Sequence, residues 1–455
     1  MIRRLLVLFL LFIIITSPTV VASPASFDLR ELHAVTFAKS QGDANTCWAF
    51  GVVNAAESNI ITKGLADADS LDLSELHLAY FAYNRDEVSV DAVQEGLEGL
   101  RGDFISLSDE KSYLEAGGNE LFAAFVLASW FGFVNESIAP YENISALDSS
   151  LAHAANSYYL VNSSWLKFSE PDAIKRMMMK TGAASVGLYS NDSYYRNDTF
   201  AYYCFDHADS SHTVGLVGWD DNFSRENFTV VPPGDGAWLM KNSWGPEFGD
   251  NGFFWVSYYD TSLDNAVFYD VVPAETFDHN YQYDGGILPT SMPVASNGSD
   301  EITVSAANIF TAKGYESLRA VSFFTFNKNV SYDIFVSING VKFGSALKRV
   351  VSGTAETPGY HTIPLPRPLL LRPNESFAVT VTLRAEADTS DFFENPGLSL
   401  PLDLTQRHQI FISTSVSEEN QSYLFDEDEG AWTDIGAHGD VNVRIKAFTV
   451  DAGTR

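Results

Sequence analysis

The hydrophobic period of this chain changes once along its length, and that change limits the fold more than any other feature. Up to Trp130 apolar residues recur at helical spacing, whereas beyond Tyr158 they mostly fall in short runs between turn residues. From Ala49, the residues Val52, Val53, Ala56 and Ile60 form one helical stripe, and Gly64 supplies a stop. Leu73–Tyr83 opens a second helical run behind Ser74, and Glu120–Trp130 a third behind Gly117-Gly118-Asn119. A strand candidate at Tyr158–Lys167 and a short helix at Pro171–Lys180 precede further strand candidates at Ala183–Tyr189, Thr213–Trp219, Ala237–Lys241 and Gly252–Tyr259. Helices first and strands later predict an α+β unit with a helical half, a sheet half and a cleft between them. Residues 84–116, acidic and weakly periodic, predict a surface loop.

Beyond a boundary near Ala274–Asp284 the strand candidates are Ile302–Ser305, Ala320–Phe326, Tyr332–Ile338, Tyr360–Ile363, Ser376–Thr382, Ile410–Ser413 and Val441–Val450. Their regular spacing predicts an antiparallel, jelly-roll-like sandwich. With 455 residues, 45% of them hydrophobic, the chain has material for more than one core. No repeat or low-complexity linker separates the parts, so they are expected to pack closely. The net charge of −31 leaves no basic run to hold phosphates, which argues against nucleic acid as a partner.

Residues 1–22 read as an export signal, with Arg3 and Arg4 ahead of the apolar Leu5–Ile15 and small residues up to Ala22. Left uncut, Leu5–Ala22 is just long enough to anchor the chain in a membrane. Eleven Asn-X-Ser/Thr triplets, from Asn135 to Asn420, fit the surface of an exported glycoprotein. The expected division is therefore a signal at 1–22, one domain over 23–273 and a second over 274–455. An exported chain usually pairs its cysteines, yet only Cys47 and Cys204 are present. They are either one staple, or a working thiol and a core residue.

Cys47 falls in the first turn of the first helix, behind the cap candidates Asn45 and Thr46, where unpaired N–H groups and the helix dipole favour a thiolate. Its structural alternative is a buried cysteine. A thiol nucleophile needs a base; of nine histidines His212 directly precedes a strand, which fixes its backbone. The base needs an acceptor on its other nitrogen, and Asn242, opening Asn-Ser-Trp-Gly after an apolar run, can present one with Trp244 as a cover. Gln41, six residues before Cys47, can donate to an oxyanion together with the Cys47 N–H. Taken singly, Asn242 also reads as a turn residue and Gln41 as a loop amide. No His/Cys/Asp/Glu cluster has metal-ligand spacing, so no metal or other cofactor is expected.

Together and in this order, Gln41-Gly42, Cys47-Trp48-Ala49-Phe50, His212 ahead of a Val/Gly-rich strand, and Asn242-Ser243-Trp244-Gly245 resemble the papain-like cysteine peptidases. The likeness extends over about Ser26–Val272, through Leu73–Leu76 and the aromatic strand at Gly249–Trp255. It implies a papain-like fold and an endopeptidase acting on protein or peptide substrates. Cys47 is then the nucleophile, His212 the base, Asn242 its orienter and Gln41 an oxyanion donor, while Gly117, Gly118 and Trp244 bind substrate. Asn280–Asp284, Ala306–Thr311, Ala320–Thr325, Gly359–Ile363 and Asn442–Val450 resemble the lectin-like β-domain that follows such peptidases in some microbial exported proteins. That second likeness implies cell-surface glycans as a further partner and assigns no residue to them.

Three departures stand out. Asp43-Ala44-Asn45 replaces the cysteine-bearing flank of common relatives, so the local disulfide is missing and Cys204 is expected to be reduced and buried. Only Ser23–Ala25 separates the expected signal cleavage from the mature-like segment, leaving no room for an amino-terminal propeptide. Asp221–Gly236 lengthens the interval between His212 and Asn242, as a loop that could overhang the cleft. The expected protein is a secreted or surface cysteine endopeptidase. The alternatives are a catalytically silent glycan-binding adhesion protein and a transpeptidase that passes the same acyl group to an amine.

Overall fold

The computed structural model describes residues 22–84, 103–108, 112–143, 147–154, 156–294, 296, 298–338, 349–426 and 429–453. The expected export segment up to residue 21 and much of the 84–116 stretch lie outside the described residues. Three helices make up most of the helical half: α1 (Cys47–Thr62), α2 (Glu75–Tyr83) and α3 (Glu120–Ala128). Ser74 caps α2 by accepting from His77 N–H at 3.0 Å, and Asn119 caps α3 by accepting from Phe122 N–H at 2.8 Å. Thr46 precedes α1 but does not cap it; its hydroxyl meets that of Tyr141 at 2.5 Å.

Every residue of α1 from Trp48 to Ile60 is buried, so this helix is the core of its domain rather than an amphipathic cover. Its polar residues tie it to neighbouring backbone. Ser58 accepts from Ala183 N–H at 2.9 Å, while Asn59 donates to Thr181 O at 2.9 Å and accepts from Val271 N–H at 3.0 Å. A Cβ at Gly51 would lie 2.7 Å from Thr213 Cγ2, so glycine there lets α1 lie directly on the strand that begins at His212. Among the described residues the sheet half has nine strands. Their order is Tyr158–Lys167, Asn265–Pro273, Ala184–Leu188, His212–Asp220, Ala237–Lys241, Phe253–Ser257, Ala201–Tyr202 and Tyr195–Arg196, with Ser26–Asp28 added beside His212–Asp220. Asn265–Pro273 was not anticipated, although it carries the run Ala-Val-Phe-Tyr; it sits between Tyr158–Lys167 and Ala184–Leu188.

The all-β part is a sandwich. A six-stranded sheet centred on Ser376–Glu386 and Glu301–Thr311 faces a four-stranded sheet containing Glu316–Thr325 and Ile445–Asp451. Ile302, Val304, Ile334 and Val381 from the first meet Val321, Phe323, Ile445 and Ala447 from the second in one core. A separate core joins the two parts of the chain, because Phe125 and Trp165 pack with Phe324, Phe326, Tyr360 and Phe392. The close packing expected from the missing linker is therefore present.

The expectation of a surface loop over 84–116 needs correction. Phe104–Leu107 is a strand, antiparallel to Phe411–Thr414 of the all-β part. Just before it Asp103, 5% exposed, accepts Gly285 N–H at 2.6 Å and Val416 N–H at 2.7 Å. Weak periodicity hid this strand because its partner lies some three hundred positions away. Among the described residues no helix is long and apolar enough to cross a membrane.

Candidate active site

The start of α1 and the start of the strand His212–Asp220 come together. The Cys47 thiol lies at the amide and hydroxyl of Thr213 and at the Trp48 amide. His212 Nε2 and Asn242 Oδ1 are 2.8 Å apart. Since an amide oxygen only accepts, Nε2 carries the proton and Nδ1 is the basic nitrogen of the neutral ring. The Trp244 indole stacks on the imidazole with centroids 5.0 Å apart at 29° and is itself 39% exposed. His212 and Asn242 are buried, which makes Trp244 the cover over their hydrogen bond.

Gln41 is fixed at both ends of its amide. Its Oε1 accepts from Ser243 Oγ at 2.6 Å and its Nε2 donates to Ala44 O at 2.7 Å, leaving the second Nε2 proton for another acceptor. The two loops carrying Gln41 and Asn242 are stitched together through Gln41 N–H to Ser243 O at 2.9 Å and Gly245 N–H to Lys39 O at 3.0 Å. Ser243 thus clamps Gln41, a role concealed in the Asn-Ser-Trp-Gly motif. The Tyr141 hydroxyl holds Gln41 O at 2.9 Å and carries no sequence signal.

Gly117 has φ +72° and its carbonyl accepts from Tyr83 Oη at 2.8 Å. A Cβ at Gly118 would lie 2.6 Å from the Trp48 indole, so only glycine lets this backbone pass beside the residue that follows Cys47. Where relatives carry a disulfide, hydrogen bonds stand instead: Asn45 N–H donates to Leu114 O at 2.7 Å and Asn45 Nδ2 to Glu115 O at 3.3 Å. Cys204 is buried and unpaired, with no disulfide to Cys47. The loop 221–236 turns about Arg225–Asn227 and packs Phe228 against Phe223 and Tyr203.

Beneath the site runs a buried charge network. Lys39 Nζ meets Glu57 at 3.3 Å, Glu75 at 3.0 Å and Asp72 at 2.6 Å, and burial alone would lower its pKa but these carboxylates overcome that and raise it. Thr36 Oγ1 bridges Glu57 at 2.5 Å to Lys241 Nζ at 2.9 Å, immediately before Asn242. Burial pulls Lys241 down to about 8. Burial also raises the Cys47 thiol against the three hydrogen bonds that favour its anion, and lowers His212 against its bond to Asn242. Desolvation thus works against the thiolate that the N–H groups at the helix start favour. Among the described residues no group of acidic, cysteine or histidine side chains is placed to hold a metal ion.

A model of the papain family cysteine proteases matches residues 23–85 and 106–270. The chain belongs to this family. A lectin-like domain model matches residues 281–449. Cathepsin S of Bos taurus is 27% identical over 236 residues, 50% of this chain and 59% of that protein. A viral cathepsin of Spodoptera litura multicapsid nucleopolyhedrovirus is 29% identical over 233 residues, 51% of this chain and 56% of its own. The chain thus spans less than two thirds of the length of these relatives. Clostridial cysteine protease Cwp84 after propeptide cleavage has a TM-score of 0.74 at 26% identity, covering 94% of this chain and 99% of that one. The cysteine protease and lectin-like domains of Cwp84, described as a surface layer associated protein of Clostridium difficile, give 0.73 at 25% identity over 94% and 89%. The fold is accordingly papain-like with a C-terminal all-β domain.

Proposed function

We propose that the protein is an exported cysteine endopeptidase, divided near residue 274 and acting at the cell surface or in its surroundings. The observation that carries this reading is the 2.8 Å pairing of His212 Nε2 with Asn242 beside a thiol at a helix start. Nδ1 of His212 takes the Cys47 proton to form an imidazolium–thiolate pair, and the sulfur attacks the peptide carbonyl. Burial opposes each charge taken singly, raising the thiol and lowering the imidazole, and the mutual attraction of the pair works against that cost. The Cys47 N–H and the free Nε2 proton of Gln41 receive the oxyanion. Nδ1–H of His212 then protonates the leaving amine, and water hydrolyses the thioester. The Gly117-Gly118 backbone holds the substrate as an added strand. The lectin-like domain supports binding to surface glycans.

Hydrolysis of a fluorogenic peptide under reducing conditions, with Cys47→Ala as control, tests the proposal. Activity that Cys47→Ala abolishes, together with labelling of Cys47 by a vinyl-sulfone probe, is the expected outcome. A thiol that never reacts with the probe sinks it. With both described cysteines free, reductant should raise activity and leave the thermal midpoint in place.

A further inference from the structure

A groove at the junction of the two domains has no part in the mechanism above. Its volume is about 670 Å³, and small-ligand sites of roughly 300–1,000 Å³ favour domain interfaces. Lys167, the last residue of the strand Tyr158–Lys167, lines it from the peptidase domain, and the turn from Glu386 to Phe392 lines it from the lectin-like domain. The two sides are joined: Lys167 Nζ meets Glu394 at 2.9 Å and lies over the Phe392 ring at 5.5 Å, while Lys328 meets Glu170 at 2.6 Å. The turn is held in shape by Asp391. Its Oδ1 accepts the N–H groups of Phe393 and Asn395, each at 2.9 Å, and its Oδ2 accepts from Ser399 Oγ at 2.6 Å. Gly397 N–H donates to Thr389 O at 2.8 Å across the same turn.

These contacts leave part of the lining unused. The side chains of Glu386, Asp388 and Ser390 are exposed in the groove and meet no partner among the described residues. A ligand that fits must offer apolar faces to the lining ring of Phe392 and hydrogen-bond donors to the free carboxylates and hydroxyl. A pyranose ring carries both, with C–H groups on its faces and hydroxyls at its edge. Charge narrows the class. Lys167 and Lys328 are each paired with a carboxylate, so Glu386 and Asp388 leave the groove negative. Acidic saccharides are repelled there, whereas hydroxyl and ammonium donors form charge-assisted hydrogen bonds. Asn329, also in the lining, opens one of the Asn-X-Ser/Thr triplets. A glycan carried on the chain itself is thus a second source of the same chemistry.

We propose that this groove between the domains is the saccharide site of the protein, taking neutral or amino-sugar chains, with Glu386, Asp388 and Ser390 as its polar contacts. The inference rests on the glycan reading of the lectin-like domain above. Its test probes a glycan array that includes tetramers of glucosamine, N-acetylglucosamine, mannose and galacturonic acid with the full chain made without N-glycosylation. Binding to neutral or amino-sugar chains and none to galacturonate is expected. Joint Glu386→Ala and Asp388→Ala substitution should weaken it by about tenfold or more with the thermal midpoint unchanged. Ser390→Trp, which fills the groove from an exposed position, should do the same. A glycosylated wild type that fails to bind where glycosylated Asn329→Gln binds identifies the carried glycan as the occupant. Binding confined to acidic chains, or unmoved in both folded variants, overturns the groove and leaves the glycan reading standing. A chain that binds no saccharide on the array in any of these forms overturns the glycan reading and the groove with it.

Discussion

Gln41 shows how one amide can be held for a task that neither of its anchors performs. Ser243 and Ala44 use one oxygen lone pair and one proton, which orients the remaining proton without consuming it. Gln41→Ala should lower kcat by about a hundredfold or more, the usual cost of one oxyanion donor, with a smaller change in KM. Single-turnover acylation of the variant measures this; an unchanged acylation rate would remove Gln41 from the reaction. At this scale the four polar residues of the candidate site were readable because their motifs occur together. Tyr141 and Thr213 were not, since each enters the site through contacts made by distant parts of the chain.

The element of most consequence is the strand Phe104–Leu107. It leads through Leu114 and Glu115 to Asn45 on one side and to Gly117-Gly118 on the other, while its own pairing partner belongs to the all-β domain. The C-terminal domain thus holds the strand that comes shortly before the Asn45 contacts and the glycine pair along the chain. Asp103→Ala leaves the Gly285 and Val416 N–H groups without their acceptor, at a cost of about 2–4 kcal/mol. Both a lower denaturant midpoint and a raised KM are expected, because the glycine pair loses its support. A KM unchanged in a destabilised variant would show that the contact serves stability alone. Helix and strand types were legible from period; this strand and Asn265–Pro273 were not, because strand pairing depends on neighbours outside any local window.

Across the whole molecule, desolvated histidines, the buried His77 and the partly buried His361, tie stability to pH. Burial holds His361 neutral down to about 4 against its bond to Thr357, while the unfolded residue protonates near 6.5. Between these values the unfolded state binds more protons, so stability falls as pH drops through this window. The contribution is about 3 kcal/mol once pH reaches 4. His77, also lowered by burial to about 4, adds a second term of the same sign. Urea unfolding at pH 7 and at pH 4 should show a smaller loss for His361→Asn than for the wild type; equal losses would mean that His361 is protonated in the folded state.

Sequence by itself determined the change from helical to strand periods, the position of Cys47 at a helix start and the family-like order of Gln41, Cys47, His212 and Asn242. These are local properties, written in spacing and in short motifs. The tertiary structure alone decided that burial opposes the charged thiol and imidazole, because desolvation depends on what the fold places around them. It likewise decided that hydrogen bonds from Asn45 to Leu114 and Glu115 occupy the flank where the disulfide is missing. Burial and long-range pairing are sums over residues far apart in the chain, which no local pattern contains.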